Sequence, residues 1–289
     1  MALKKVGVNP QHFEKSQIKF YVILAPFVAF MILPIVFIFN HAFKPMAELF
    51  AYPPKFLVQN PSLINFRTLF RESQISSIPM SRYIFNSVVV VIVVLFLSIF
   101  ITTLAGYVLS KKRFRSKKLL LEINNVALMF VATAVTIPRD LVVNFLGIQD
   151  TILAHILPLF VMPVGLFLVK QFIDQVPDTL IEAAVIDGSS EFQIYRKIIV
   201  PLIKPAIATV TILAFQLVWN NLETSQLFVT SDSLRTLAFY MSTLASGSNI
   251  VAGQGVAAAA SLIMFIPNLV LFIILQSNVM SMMSHSGIK

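Results

Sequence analysis

Bond-making chemistry needs a nucleophile, a paired acid and base, or a metal, and this chain supplies few of these parts. It has no cysteine, and its four histidines (His12, His41, His155, His285) are scattered without ligand spacing. Glu122 stands alone in an apolar stretch. No Gly-Lys-Ser/Thr phosphate loop occurs, so the chain is not expected to hydrolyse ATP. The sequence therefore predicts no catalytic residue, no metal and no cofactor held by this chain. Two other groups of residues could work without breaking a bond. One is "LIEAAVIDGSSEFQIYRKIIVPLIKP" (180–205), which carries Glu182, Asp187, Glu191, Arg196, Lys197 and Lys204 between nearly uncharged flanks. The other is "FQLVWNNLET" (215–224), which places Gln216, Trp219, Asn220, Asn221 and Glu223 inside or beside an apolar run.

The first group reads as a docking element. Asp178 after Pro177 can cap a first helix, and Glu182 lies near the positive end of its dipole. Asp187-Gly188 supplies a stop, because glycine takes the left-handed conformation cheaply. Ser190 followed by Gln193 fits a capping box, so a second helix restarts at once. Pro201 and Pro205 mark the turn back. Leu180, Ala183, Ala184 and Asp187 are expected to share or border one side, with alanines that let another backbone approach. An amphipathic helix resting on anionic lipid would want cations. The first helix has Asp178, Glu182 and Asp187 and no Lys or Arg, so a protein is the expected partner.

The second group reads as a solute path. Polar side chains in a membrane are costly and face a cavity or a partner helix. Gln216, Asn220 and Glu223 are expected on one helical stripe. Amides and an aromatic ring suit sugars, while an interfacial anchor for Trp219 is the alternative. Asn124 and Asn125 read as helix-packing groups, His155 as a packed histidine, and Arg139-Asp140 as a surface ion pair.

The elements that must position these residues are membrane helices. The chain has 289 residues, is 57% hydrophobic and 12% charged, and has a mean hydropathy of +0.84. Soluble chains average about 25% charged residues. Six segments are long enough to cross a bilayer: about 20–43, 83–109, 119–137, 152–172, 205–222 and 256–280. An uncleaved first span is expected, because its apolar run exceeds a signal peptide's. "KKRFRSKK" (111–118) belongs in the cytosol. Six spans then put both termini and the 177–204 loop inside, with 15 of the 22 Lys and Arg inside and 7 outside. The net charge of +9 thus reflects topology rather than nucleic acid. Segments 44–82 and 223–255 face out, the second as a short amphipathic helix and flexible return. No internal repeat occurs.

The stretch "EAAVIDGSSEFQIYRKIIVP" (182–201) resembles the cytoplasmic loop of ATP-binding-cassette importer permeases: Glu-Ala-Ala, three residues, Gly, nine residues, Ile, one residue, Leu-Pro. Glu182, Ala183, Ala184, Gly188, Ile198 and Pro201 match, and Val200 replaces the usual leucine. "FNS" (85–87), "AGYVLSKKRF" (105–114), "FLVKQFIDQVP" (167–177), Asp187-Gly188, "WN" (219–220) and the segment 43–66 are similar to the carbohydrate-uptake branch, in particular its maltose-transporter-like second permease. The end, "SHSGIK", departs from the family's Gly-rich tail; only Gly287 and Lys289 match it.

The resemblance implies an all-α integral membrane protein of a prokaryotic cytoplasmic membrane. Residues 1–19 form a cytosolic tail and 20–289 the transmembrane domain, with a coupling helix–turn–helix between spans four and five. It implies a homologous permease, two ATPase subunits that bind ATP and Mg, an extracytoplasmic solute-binding protein and a sugar substrate. A non-sugar solute, a sugar phosphate or a uronate oligomer is the alternative cargo. The coupling residues would be Glu182, Ala183, Ala184, Asp187, Gly188, Ile198 and Pro201. An embedded enzyme or an ion-coupled transporter would want paired carboxylates or inverted repeats, and the sequence has neither.

Overall fold

A computed structural model describes residues 17–75, 78–247 and 253–286. Most of the proposed tail (1–16), residues 248–252 of the outer return, and Gly287 and Lys289 lie outside the described residues. The described chain is helical. Four helices are long and apolar enough to cross a membrane, and two bent pairs raise the number to as many as six.

Helix α1 (Ile18–Phe43) presents nearly all its side chains outward and buries only Asn40 and Ala42. It lies along the last helix. After α2 (Ile64–Ile75), helix α3 (Met80–Lys111) runs for 32 residues through the centre. At 1.5 Å per residue it is about 48 Å long. Two apolar clusters are strung along it. The first joins Tyr83, Val90, Val91 and Val94 to Leu159, Trp219, Tyr240 and Ala259. The second joins Tyr107 to Val169, Ile173, Ala184, Ile194, Ile199 and Val210. Gly106 lets α3 approach its neighbour closely, since a Cβ there would stand 2.8 Å from Val169 Cγ1.

The expected third span, 119–137, is not one straight helix. Helix α4 (Lys117–Met129) stops at Phe130, and the path turns by 108° before α5 (Thr136–Phe145). Phe130 and Val131 are extended (ψ 132° and 135°), and a 3-10 turn over Ala132–Val135 leads into α5, whose first turn tolerates Pro138. Thirteen residues of α4 reach about 20 Å, short of the roughly 30 Å hydrocarbon core.

The fourth expected span is also broken, into α6 (Leu153–Phe160) and α7 (Pro163–Asp174), bent by 42°. Met162 is extended (φ −127°, ψ 90°) because the Pro163 ring disfavours helical geometry before it. Ser98 Oγ of α3 donates to the freed Phe160 carbonyl at 2.7 Å, and Asn124 Nδ2 of α4 reaches the Pro163 carbonyl at 3.4 Å. These bonds satisfy backbone that lipid could not, and Asn124 is a packing group.

Helix α8 (Asp178–Ile186) and a helical stretch over 191–202, with a π-turn at Tyr195–Ile199, lead into α10 (Lys204–Trp219); the 191–202 stretch is α9. The helix expected within 223–255 does not lie loose on the surface. Helix α11 (Leu237–Gly247) packs Leu237, Tyr240 and Met241 into the first cluster against α3 and α12 (Gln254–Ser286).

Candidate functional site

The docking loop is built from three local devices. The first is the helix stop. Gly188 has φ +77°, the Gly188 amide bonds the Val185 carbonyl, and the Ser189 amide bonds the Ala184 carbonyl. This paired closure satisfies the last carbonyls of α8. The second is the restart. Gln193 N donates to Ser190 Oγ at 3.4 Å while Ser190 N donates to Gln193 Oε1 at 2.9 Å, the expected capping box. The third is the attachment to α3, which sequence spacing did not indicate.

Asp178 does not cap α8. Pro177 occupies the N-cap, and the Asp178 carboxylate takes the Lys111 ammonium at 2.7 Å. Lys111 also donates to the Val176 carbonyl. Lys112 Nζ pairs with Glu191 Oε1 at 2.5 Å, and the Tyr107 hydroxyl donates to Glu191 Oε2 at 2.9 Å. Lys112, then Tyr107, hold the Glu191 carboxyl below its ordinary range. Beneath them the hydroxyls of Thr103 and Tyr195 share a 2.7 Å hydrogen bond. The last turns of α3 thus grip both arms of the loop.

That attachment decides which residues face out. Ala184 is 7% exposed and packs in the second cluster, whereas Ala183 is exposed. The two alanines therefore do not share one outer side. Glu182, Asp187, Gly188 and Pro201 are exposed, and Ile198 is half-buried against the second cluster. Leu180, Val185 and Ile186 also stand outward, Ile186 at 86% exposure. Large apolar groups beside carboxylates on an outward elbow make a surface suited to a protein partner.

The polar residues of the fifth expected span separate. Helix α10 ends at Trp219, so Glu223 leaves the stripe and opens the short helix Glu223–Leu227. Glu223 there accepts from Arg139 at 2.9 Å and from Thr136 at 3.1 Å. Arg139 is consequently not paired with Asp140, which faces Gln149. Trp219 is buried in the first cluster and donates from Nε1 to the Met264 carbonyl at 3.0 Å, which excludes the anchor reading. Asn221 Oδ1 accepts from Thr224 N and Oγ1. Gln216 is exposed.

Of the four candidate path residues, only Asn220 lines a cavity of about 400 Å³ between α1, α10, α11 and α12. Its other polar walls are Ser242, Ser261 and Asn268, and no side chain there is charged. Asn268 Nδ2 reaches the Met264 carbonyl at 3.0 Å, and its buried Oδ1 has no hydrogen-bond partner among the described residues.

His155 is a packed histidine. It is fully buried, 2.7 Å from Thr224 Oγ1 and 3.0 Å from the Leu234 carbonyl. No cluster of three or more potential metal ligands occurs among the described residues.

Known proteins resemble the chain across nearly its whole length. It is 25% identical over 264 residues to the trehalose transport system permease of Mycobacterium tuberculosis, covering 91% of this chain and 94% of the relative. It is 28% identical over 269 residues to an arabinooligosaccharide transport system permease of Halalkalibacterium halodurans, covering 91% and 93%. A solved bacterial ABC transporter involved in alginate import has a chain of the same fold (TM-score 0.78, 20% identity), covering 93% of this chain and 99% of that one. Residues 17–279 match the model of the binding-protein-dependent transport system inner membrane component. With its apolar helices, its outward-facing elbow and a match over this range, the chain belongs to that family of inner-membrane transport components.

Proposed function

We propose that this chain is one permease half of an ATP-driven importer of sugars or oligosaccharides. It pairs with a homologous permease, and each half presents its 178–202 elbow to a cytosolic ATPase subunit that binds ATP and Mg. A solute-binding protein delivers cargo from outside. The chain itself binds no nucleotide. The observation that carries the reading is the elbow: Glu182, Ala183, Ile186 and Gly188 face outward while Ala184, Tyr195 and Ile199 are packed against the body. Six spans, counting each bent pair as one, put the elbow, 111–118 and both ends in the cytosol. Gly188, Ile198 and Pro201 set the elbow's shape, and Asp187 adds to the negative outer face.

The family relation and the two sugar-transport relatives support a carbohydrate cargo. The uncharged cavity supports it further. Asn220, Asn268, Ser242 and Ser261 offer neutral donors and acceptors, as hydroxyl-rich solutes require; Gln216 and Asn221 would extend the path at its rim. The test is co-expression with the neighbouring transport genes. An ATPase subunit should co-purify, and Glu182→Lys should leave the chain in the membrane while abolishing saccharide uptake. Normal uptake by Glu182→Lys would remove the docking role.

A further inference from the structure

Helix α3 differs from the other span-length elements among the described residues. Helices α1 and α12 contain internal prolines, the third and fourth spans are broken, and the fifth is interrupted after Trp219. Helix α3 has neither proline nor break over 32 residues. It is also hydrogen-bonded at both ends to segments far away in sequence.

At its inner end, Lys111, Lys112, Tyr107 and Thr103 hold Asp178, Glu191 and Tyr195 of the elbow. At its outer end, Asn86 is 2% exposed and donates from Nδ2 to the Ser233 carbonyl at 2.8 Å and the Arg235 carbonyl at 3.0 Å. Ser87 Oγ accepts from Leu237 N at 2.7 Å, and Arg82 Nε donates to the Ser233 carbonyl at 3.2 Å. Residues 233–237 lead directly into α11, whose Ala238, Met241 and Ser242 line the cavity. His155 Nε2 lies 3.0 Å from the Leu234 carbonyl of the same segment, and just before it Asp150 Oδ1 accepts from Thr230 N and Ser231 N.

We infer that α3 is a rigid strut that carries elbow displacement to the 233–237 segment and so to the cavity wall, with Tyr107, Lys112, Asn86 and Ser87 as its positioning residues. From Asn86 to Tyr107 the strut spans about 30 Å. Coupling over such distances needs a rigid element with specific contacts at both ends. A helix that slid freely past either segment would dissipate the motion. Five buried or part-buried hydrogen bonds, two at the inner grip and three at the outer, prevent that. The inference rests on the proposed ATPase docking of the elbow.

Because the chain has no native cysteine, one reporter can be placed cleanly. Ser233 contributes only its carbonyl to the outer grip, and its side chain is exposed. Ser233→Cys, labelled with an environment-sensitive fluorophore in the full complex in nanodiscs, should shift its emission when a non-hydrolysable ATP analogue is added. Tyr107→Phe with Lys112→Met, or separately Ser87→Ala, should abolish most of the shift while analogue binding to the ATPase subunits is retained. Ser87→Thr, which keeps the hydroxyl, should restore it. A full shift in both the inner and outer variants would overturn the strut. A labelled parent complex that binds the analogue without any shift would overturn it too. Failure of an ATPase subunit to co-purify with the unlabelled parent chain would instead bring down the docking assignment, and the strut with it.

Discussion

Gly188 and Trp219 show how single residues acquire opposite meanings. Gly188 has open space around its Cα, so size does not restrict it; its φ of +77° does. Proline cannot take that angle. Gly188→Pro should therefore leave insertion unchanged, as judged by membrane fractionation, yet uncouple ATPase activity from uptake. Gly188→Ala should do so only in part, since alanine in the left-handed region costs roughly 1 kcal/mol. Trp219 looks like a sugar platform in sequence, but its indole N–H is committed to the Met264 carbonyl. Trp219→Phe should lower thermal stability in detergent by about 0.5–1.5 kcal/mol, the net worth of one hydrogen bond. It should leave the saccharide concentration for half-maximal uptake unchanged. Asn268→Leu, which removes the unpartnered Oδ1 from the cavity wall, should raise that concentration.

At the scale of elements, the elbow depends on α3. Glu191 is held below its ordinary carboxyl range by Lys112 and Tyr107. A depressed carboxyl contributes stability above its unfolded value, and that contribution is lost as pH falls through the folded value. Protection factors for amide hydrogen exchange across 190–200, which remove the intrinsic pH dependence of the rate, should thus be constant from neutral pH down to the ordinary glutamate range and fall only below it, leaving exchange accelerated relative to its intrinsic rate. Glu191→Gln should show the accelerated exchange at all pH values. Packing between elements is equally specific. A Cβ at Gly106 would meet Val169 at 2.8 Å, with Ile173 at 3.4 Å behind it. Gly106→Val should separate α3 from α7 and cost about 1–3 kcal/mol, the usual penalty of overpacking, read as a lower melting temperature.

For the whole molecule, sidedness is the decisive quantity. The six-span arrangement puts Ser116, within the basic 111–118 loop, in the cytosol and Ser233 outside. Single cysteines at these sites should be labelled by a membrane-impermeant maleimide from opposite faces. Labelling of both from one side would remove the six-span count. The outward apolar surface of α1, with Phe20, Phe27, Phe30 and Met31 all exposed, and the bent α4–α5 pair fit a molecule bounded by lipid and other subunits.

Membrane class, the approximate ends of four helices, the capping box and the glycine stop were legible from composition and short-range spacing, because apolar length and turn chemistry are local properties. "FNS" was recognisable as a pattern, but its role was not: Asn86 meets Ser233 across 147 positions. The same holds for Tyr107 and Glu191, 84 positions apart, and for Arg139, which bypasses its neighbour Asp140 for Glu223. The helix break at Val161 had a local cause in Pro163, whereas the break at Phe130 has no proline beside it and shows only in the folded chain. Sequence alone determined what this chain dissolves in and where it turns. Only the tertiary structure decided which alanine faces out, which polar groups are spent on holding the fold, and which helix joins the elbow to the cavity, because those outcomes depend on partners that folding brings together and no sequence period encodes.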